Sequence, residues 1–150
     1  MIALVQRVSE ASVTAEGQEA GVIGPGLLIF LGVHGNDTDK ELAWMVRKCA
    51  KLRIFPDGAG RMNRSLLDTG GEALVVSQFT LYGNAQKGHR PAFVEAAHPA
   101  KARSLYEGFI DALEEMLGRP VPSGVFGAMM QVRLCNDGPV TIWLERKPSA

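Results

Sequence analysis

Apolar and polar residues alternate over positions 2–8, the period-two signature of a strand with one buried face. Positions 11–15 and 19–23 flank Gly17-Gln18 and read as a hairpin. After the Gly24-Pro25-Gly26 turn, positions 27–33 form an unbroken apolar run, which predicts a central strand covered on both faces. Thr38 and Glu41 have capping-box spacing. Leu42, Met45, Val46 and Cys49 then recur at helical spacing, so a helix is predicted over 39–51. Positions 52–55 read as a short strand stopped by Pro56. Loops are expected at 57–60 and 68–71, with a strong strand over 73–79 between the second loop and an irregular stretch at 83–98. Pro99 suits the first turn of a second helix. Its face carries Ala102, Leu105, Phe109, Ala112, Leu113 and Met116, and it stops near Gly118-Arg119-Pro120. Strands over 129–135 and 140–145 follow, joined by a turn at 136–139. Residues 146–150 read as a frayed tail.

This order predicts an α/β chain with a mixed sheet and two main helices. No repeat or internal boundary divides it, so residues 1–150 read as one domain. Apolar residues make up 46% and charged residues 21%, a globular balance that excludes disordered, collagen-like and coiled-coil classes. No apolar run approaches the roughly 20 residues of a membrane helix. The N-terminus has neither the basic start nor the apolar stretch of a secretory signal. Cys49 and Cys135 match no metal or disulfide framework. A cytoplasmic protein with reduced thiols and no membrane association is the expectation.

Sixteen basic and sixteen acidic residues cancel, but they are unevenly spread. Residues 47–64 hold six bases (Arg47, Lys48, Lys51, Arg53, Arg61, Arg64) against Asp57 alone. Residues 87–103 hold Lys87, Arg90, Lys101 and Arg103 against Glu95, and residues 104–118 hold four acids and no base. Such stretches suit a phosphate backbone, and they equally suit a solvated helix face with loop charges.

His34, His89 and His98 have no ligand partner at metal spacing, so no metal site is expected. Phosphate-loop and dinucleotide-loop glycine patterns are absent. No nucleophile-elbow pattern surrounds a serine. Three segments carry other chemistry. Ser77-Gln78-Phe79-Thr80-Leu81 ends the best strand, where backbone N–H groups lose their ladder partners and can serve as an oxyanion hole. Strand-end hydrogen bonding by Ser77 and Thr80 explains the same residues without function. Arg61-Met62-Asn63-Arg64-Ser65 can hold phosphate or be a solvated loop. Asp137-Gly138-Pro139 is ordinary turn chemistry. Taken singly, each segment is most simply structural.

Taken together, in order and with 124–128 (GVFGA) ahead of the last strands, they resemble the D-aminoacyl-tRNA deacylase family of the common bacterial and eukaryotic type. The similarity runs from Met1 to about Glu145. Its most specific pieces are SQFTL at 77–81 and NDGPVT at 136–141. MNRS at 62–65, QRV at 6–8 and KGHRPAF at 87–93 support it. Residues 83–86 and 94–98 are less typical of the family, which bears on loop detail and tRNA contacts.

The resemblance implies a barrel-like sheet with helices outside, a homodimer, and an active site at the subunit interface. It implies hydrolysis of the ester between a D-amino acid, or glycine, and the 3′ ribose of tRNA, with no metal or organic cofactor and no DNA partner. Phe79 and Thr80 would offer backbone N–H groups to the oxyanion, with Ser77 and Gln78 orienting the substrate. Phe126 would pack near the adenine, with Met129 and Ala102 in the pocket wall. Gly138 and Pro139, joined by a cis peptide, would enter the partner's pocket and exclude an L side chain. Arg53, Arg61, Arg64, Lys87 and Arg90 are candidates for tRNA phosphate. Two other readings stay open: a tRNA-binding module without catalysis, and an esterase with Thr80 or Ser77 as nucleophile on a non-RNA ester.

Overall fold

β1 (Ile2–Ala15) is the spine of the sheet in the computed structural model, which describes residues 1–149. One edge of β1 pairs antiparallel with β7 (Met130–Glu145) over its whole length. The other edge is shared: residues 2–8 pair with β3 (Gly26–Gly32), and residues 11–15 pair with β2 (Gln18–Ile23). β6 (Glu72–Ser77) lies parallel to β3. The chain at Pro122–Gly124 runs along the free side of β6, with the Val75 N–H donating to Pro122 at 3.1 Å and the Gly124 N–H to Val75 at 3.0 Å. A Cβ built on Gly21 of β2 would meet both Leu74 and Pro122, so the two ends of the sheet curl toward one another into a half-barrel.

Alternation assigns the sheet's two faces. Leu27, Ile29 and Leu31 of β3 join Ala3 and Val5 in a core covered by α1 (Asp39–Lys51) and α3 (Pro99–Leu117). Leu28 points the other way, with Val8, Ala11, Val13, Ile23, Leu74 and Val76 inside the curl. The expected central strand is therefore buried on both faces. Leu42, Met45, Val46 and Cys49 of α1 meet Leu105, Phe109 and Leu113 of α3 in the first core. The Thr38–Glu41 capping box starts α1, as its spacing predicts.

Several local expectations are corrected. Residues 2–8 and 11–15 belong to one strand rather than two, because β7 pairs across the break through shifts in register. Residues 52–54 are irregular; the strand there is only β4 (Phe55–Pro56), paired with β5 (Met62–Arg64). A third, short helix, α2 (Leu66–Thr69), follows, capped by Ser65 and Asp68. The strand expected over 73–79 stops at Ser77, and a single 3₁₀ turn spans Phe79–Tyr82. Residues 136–139 are not a turn between strands. They lie inside β7, where residues 137–140 stand opposite the single residue Arg7 and bulge out of the ladder. Arg146 is no free tail, since its N–H donates to Met1 at 2.9 Å and its carbonyl accepts from the Met1 ammonium at 2.8 Å.

Candidate active site

Two strand ends create the cleft. β3 and β6 run parallel, so both stop at the same edge of the sheet, where open α/β sheets commonly place their sites. The Gln78 N–H donates to Leu31 at 2.8 Å, the last bond before the chain leaves β3. In the 3₁₀ turn that follows, hydrogen bonds run from Leu81 back to Gln78 and from Gly83 to Thr80. The N–H groups of Phe79 and Thr80 precede the first of these donors, Leu81, and among the described residues nothing takes them up.

The returning loop closes one side. Asn84 and Ala92 exchange two backbone bonds of 2.8 Å each. Phe93 then stacks edge-on against Phe79, with ring centroids 5.1 Å apart. A Cβ on Gly83 would lie 3.0 Å from the Phe93 ring, so glycine lets this contact form. The Ala97 N–H donates to Val33 at 2.9 Å, which ties the loop's end to the strand edge.

The resulting cleft holds about 560 Å³. Ser77, Gln78, Phe79, Ala102 and Phe126 line it, so five of the pocket residues expected from sequence come together. Phe79 presents its ring to the opening and is 58% exposed. Among the described residues, the cleft walls contain no carboxylate, lysine or arginine. They do contain the start of α3, a 19-residue helix whose N-cap, His98, makes no side-chain cap. The positive end of that helix therefore faces the cleft and favours negative charge there. Tyr106 forms part of the floor. Burial raises its hydroxyl pKa, and the hydroxyl donates to the Val75 carbonyl at 3.3 Å.

Other expected residues sit elsewhere. Thr80 belongs to the same turn, but its hydroxyl accepts from the Gln78 amide outside the cleft lining. Met129 is 87% exposed and is not part of its own chain's cleft. Arg53, Arg61 and Arg64 lie on or beside the β4–β5 hairpin, and Lys87 and Arg90 are exposed on the loop that flanks the cleft. Sequence reasoning did not single out Phe93, Val94, Tyr106 or His98 as lining residues. The KGHRPAF motif was the available signal for Phe93; Val94 and His98 fell in a stretch without periodicity. Among the described residues, no three His, Cys, Asp or Glu side chains come together as a metal site.

Gly138 and Pro139 top the β7 bulge and are exposed, and their peptide bond is cis. Gly138 has φ +133°, and a Cβ there would lie 2.7 Å from a Val140 methyl. Two side chains hold the base of the bulge. The Asn136 amide donates to Arg7 at 2.9 Å and to Val140 at 3.0 Å. Arg7 donates to Asp137 at 3.0 Å and to Ile54 at 2.7 Å. Arg7 pairs with Leu27, whereas the cleft begins at Leu31 and Val33. At ~3.3 Å per strand residue, the bulge lies about 13–20 Å along the sheet from its own cleft.

Comparison with known proteins places the chain among its relatives. A family model described as D-Tyr-tRNA(Tyr) deacylase matches residues 4–145. A D-aminoacyl-tRNA deacylase of Salinibacter ruber is 62% identical over 147 residues, covering 98% of each chain. The solved structure of a c-Myc DNA Unwinding Element Binding Protein is 45% identical, with TM-score 0.92 over 98% of this chain and 99% of its own. A probable eukaryotic D-amino acid tRNA deacylase, 18% identical, shares the fold with TM-score 0.85 over 95% of this chain and 97% of its own.

Proposed function

This chain belongs to the D-Tyr-tRNA(Tyr) deacylase family and is a hydrolase acting on aminoacyl-tRNA; from that premise we propose how it selects and cleaves its substrate. The terminal adenosine and the ester enter the cleft. Water adds to the ester carbonyl carbon, the bond to the ribose 3′ oxygen breaks, and free amino acid and tRNA leave. Charge that develops on the carbonyl oxygen is taken up by the N–H groups of Phe79 and Thr80, which have no partner among the described residues. Ser77 and Gln78 orient the ester, and Phe126 and Ala102 pack on the adenosine. The cleft walls offer no carboxylate base. An amino-acid ester is already activated, so the neighbouring ribose 2′-hydroxyl suffices to direct the water.

Selection for the D ester is assigned to Gly138 and Pro139 of a second copy. The bulge lies too far from its own cleft to serve it, and its exposed tip suits insertion into another. Carbonyls packed against the substrate α-carbon exclude an L side chain while making no demand on the D side chain. Glycine passes the same filter because it has no side chain to reject. The enzyme is read as a homodimer acting in the compartment of translation, with Arg53, Arg61, Arg64, Lys87 and Arg90 on tRNA phosphates. Among the described residues, no helix is long and apolar enough to cross a membrane. Met129, exposed in the single chain, packs against the pocket rim in the dimer.

The observation that carries this reading is the pair of N–H groups, without partners among the described residues, in the turn that leaves the edge of an apolar cleft. The test is deacylation of D-Tyr-tRNA and L-Tyr-tRNA side by side at low enzyme concentration. Fast loss of the D ester with the L ester spared is expected. Loss of both would discard the Gly138-Pro139 filter, and binding without loss of either would leave a tRNA-binding module. A DNA-binding role, which the name of the 45% identical protein carries, predicts retention of duplex DNA without ester cleavage.

A further inference from the structure

The end of the subunit that carries the Gly138-Pro139 bulge also carries its densest positive charge. α1 starts just after the cleft-side loop at 34–37 and runs 13 residues, about 20 Å, toward the bulge end. Its last turns bring Lys48 and Lys51 there, both exposed. Arg53 follows and donates from Nε to the Asn63 carbonyl at 3.0 Å, which joins α1 to the hairpin bearing Arg61 and Arg64. Ile54, the next residue, shares Arg7 with the root of the bulge.

The nearby acids are committed to local structure. The Asp57 carboxylate accepts from the N–H groups of Ala59 at 2.8 Å and Arg61 at 3.0 Å. The Asp68 carboxylate accepts from the Ser65 N–H at 2.8 Å and caps α2. Among the described residues, none of the five cations enters a salt bridge. A neutral chain thus presents five cations against two carboxylates, Asp57 and Asp68, on a strip built from a helix end and a hairpin, with Asp68 close enough to Arg53 and Arg64 to feel their charge.

We propose that this strip, Lys48, Lys51, Arg53, Arg61 and Arg64, binds the phosphate backbone of the tRNA whose aminoacyl end lies in the partner subunit's cleft. The inference rests on the reading that the bulge enters a second copy's cleft. If it does, the strip is carried to the rim of that cleft, because both sit at the end of the subunit remote from its own cleft. Each tRNA is then held by two chains: cleft and free N–H groups from one, chiral filter and backbone grip from the other. The stem of a tRNA is the occupant that fits, since a row of unpaired cations matches a row of phosphates.

The test uses mixed dimers assembled from subunits with different C-terminal tags. One variant has its cleft blocked by Ala102→Trp, with Gln78→Trp in its place if that subunit fails to fold. The other has the strip reversed by K48E/K51E/R53E, all at exposed positions. The reversed homodimer is expected to lose at least about tenfold in kcat/KM on D-Tyr-tRNA near physiological salt, with a salt slope shallower by roughly 2–3. A dimer of one blocked and one reversed subunit should recover about half of the unmodified kcat/KM, because the open cleft faces an intact strip. A dimer of one unmodified subunit and one carrying both changes should stay at the reversed level. The opposite pattern in the two mixed dimers, or no loss on reversal, would overturn the proposal. An unmodified protein that is monomeric by light scattering, or that leaves D-Tyr-tRNA intact, would instead sink the reading on which it rests.

Discussion

Arg7 and Asp137 meet twice across the β1–β7 ladder: Nε of Arg7 donates to the Asp137 carbonyl at 3.0 Å and lies 3.3 Å from its carboxylate. Asp137 is mostly exposed while Arg7 is nearly covered, so the arginine is the fixed partner. Its other branch holds Ile54 at 2.7 Å. One side chain therefore sets the position of the bulge relative to the end of α1.

Arg7→Met is expected to keep the fold and loosen the bulge. Hydrogen bonds from a charged donor contribute about 1.5–3 kcal/mol each, and part of that loss appears as stability. The larger effect falls on selection: the ratio of D-ester to L-ester cleavage drops, with L-Tyr-tRNA hydrolysis rising from background. A thermal melt run beside the two deacylation assays separates the effects, and an unchanged ratio would show that the bulge holds its place without Arg7.

Gly138→Ala puts a Cβ 2.7 Å from a Val140 methyl and 3.0 Å from Arg7 Nη2, at φ +133°. A backbone position of this kind costs an L residue about 1–3 kcal/mol. The bulge must move, and D-Tyr-tRNA turnover is expected to fall at least about tenfold while adenosine binding to the cleft is kept. Parent-like rates on both esters would remove Gly138 from the site.

Thr80→Ala removes a hydroxyl whose partner is the Gln78 amide and leaves the Thr80 N–H in place. Turnover is expected to stay within about tenfold of the parent, since removing an oxyanion donor itself costs about 100–1,000-fold. Loss of all turnover with tRNA binding and fold intact would instead make Thr80 a nucleophile. A donor in the main chain escapes alanine scanning; Thr80→Pro, which has no N–H, is the substitution that reaches it.

Asp37 and the Met1 ammonium form a fully buried pair at 2.8 Å, and the second Asp37 oxygen accepts from the His34 N–H at 2.7 Å. Asp37→Asn leaves the ammonium uncompensated, a change that costs about 3–5 kcal/mol. A drop in Tm of roughly 6–20 °C should follow for a chain of this size. A shift of under about two degrees would show that water reaches the ammonium.

Glu41 is held below its usual pKa of 4.5, first by the Thr38 hydroxyl and then by the Thr38 N–H. A lowered folded-state value means that unfolding takes up protons on acidification. The stabilisation is complete above the usual value and is lost as pH falls below 4.5 toward the lowered one. Asp57 and Asp68, lowered from 3.8 by backbone N–H bonds from Arg61 and Ser65 respectively, act in the same direction. Glu41→Gln should flatten the acid limb of a stability-against-pH curve and leave its neutral region parallel to the parent's.

The first half of β1, β3 and both long helices were legible because their signals are local: the alternation of 2–8, the apolar run of 27–33, the capping box at Thr38. The bulge was not. Asn136-Asp137-Gly138-Pro139 carries every mark of a turn, and only the long-range pairing of β7 with β1 keeps it inside a strand. The 3₁₀ turn at Phe79 was hidden for a related reason, since apolar Phe79 continues the β6 pattern while the Gln78 N–H makes the last bond to β3. A third of the cleft lining was legible from SQFTL and GVFGA. Phe93, Val94 and His98 come from a stretch whose order depends on docking against Val33, Gly35 and Phe79, which no periodicity records.

β1 has a consequence for how the molecule comes apart. Its first residues, Ala3 and Val5, belong to the core beneath the helices, and Val8, Ala11 and Val13 belong to the core inside the curl. Neither core can melt while the strand stays paired in the other. The two are thus one cooperative unit, and amides of β3 on both faces should exchange with solvent through the same global opening. A cut or insertion anywhere in 2–15 would cost both cores at once, whereas the exposed tip at 58–60 touches neither.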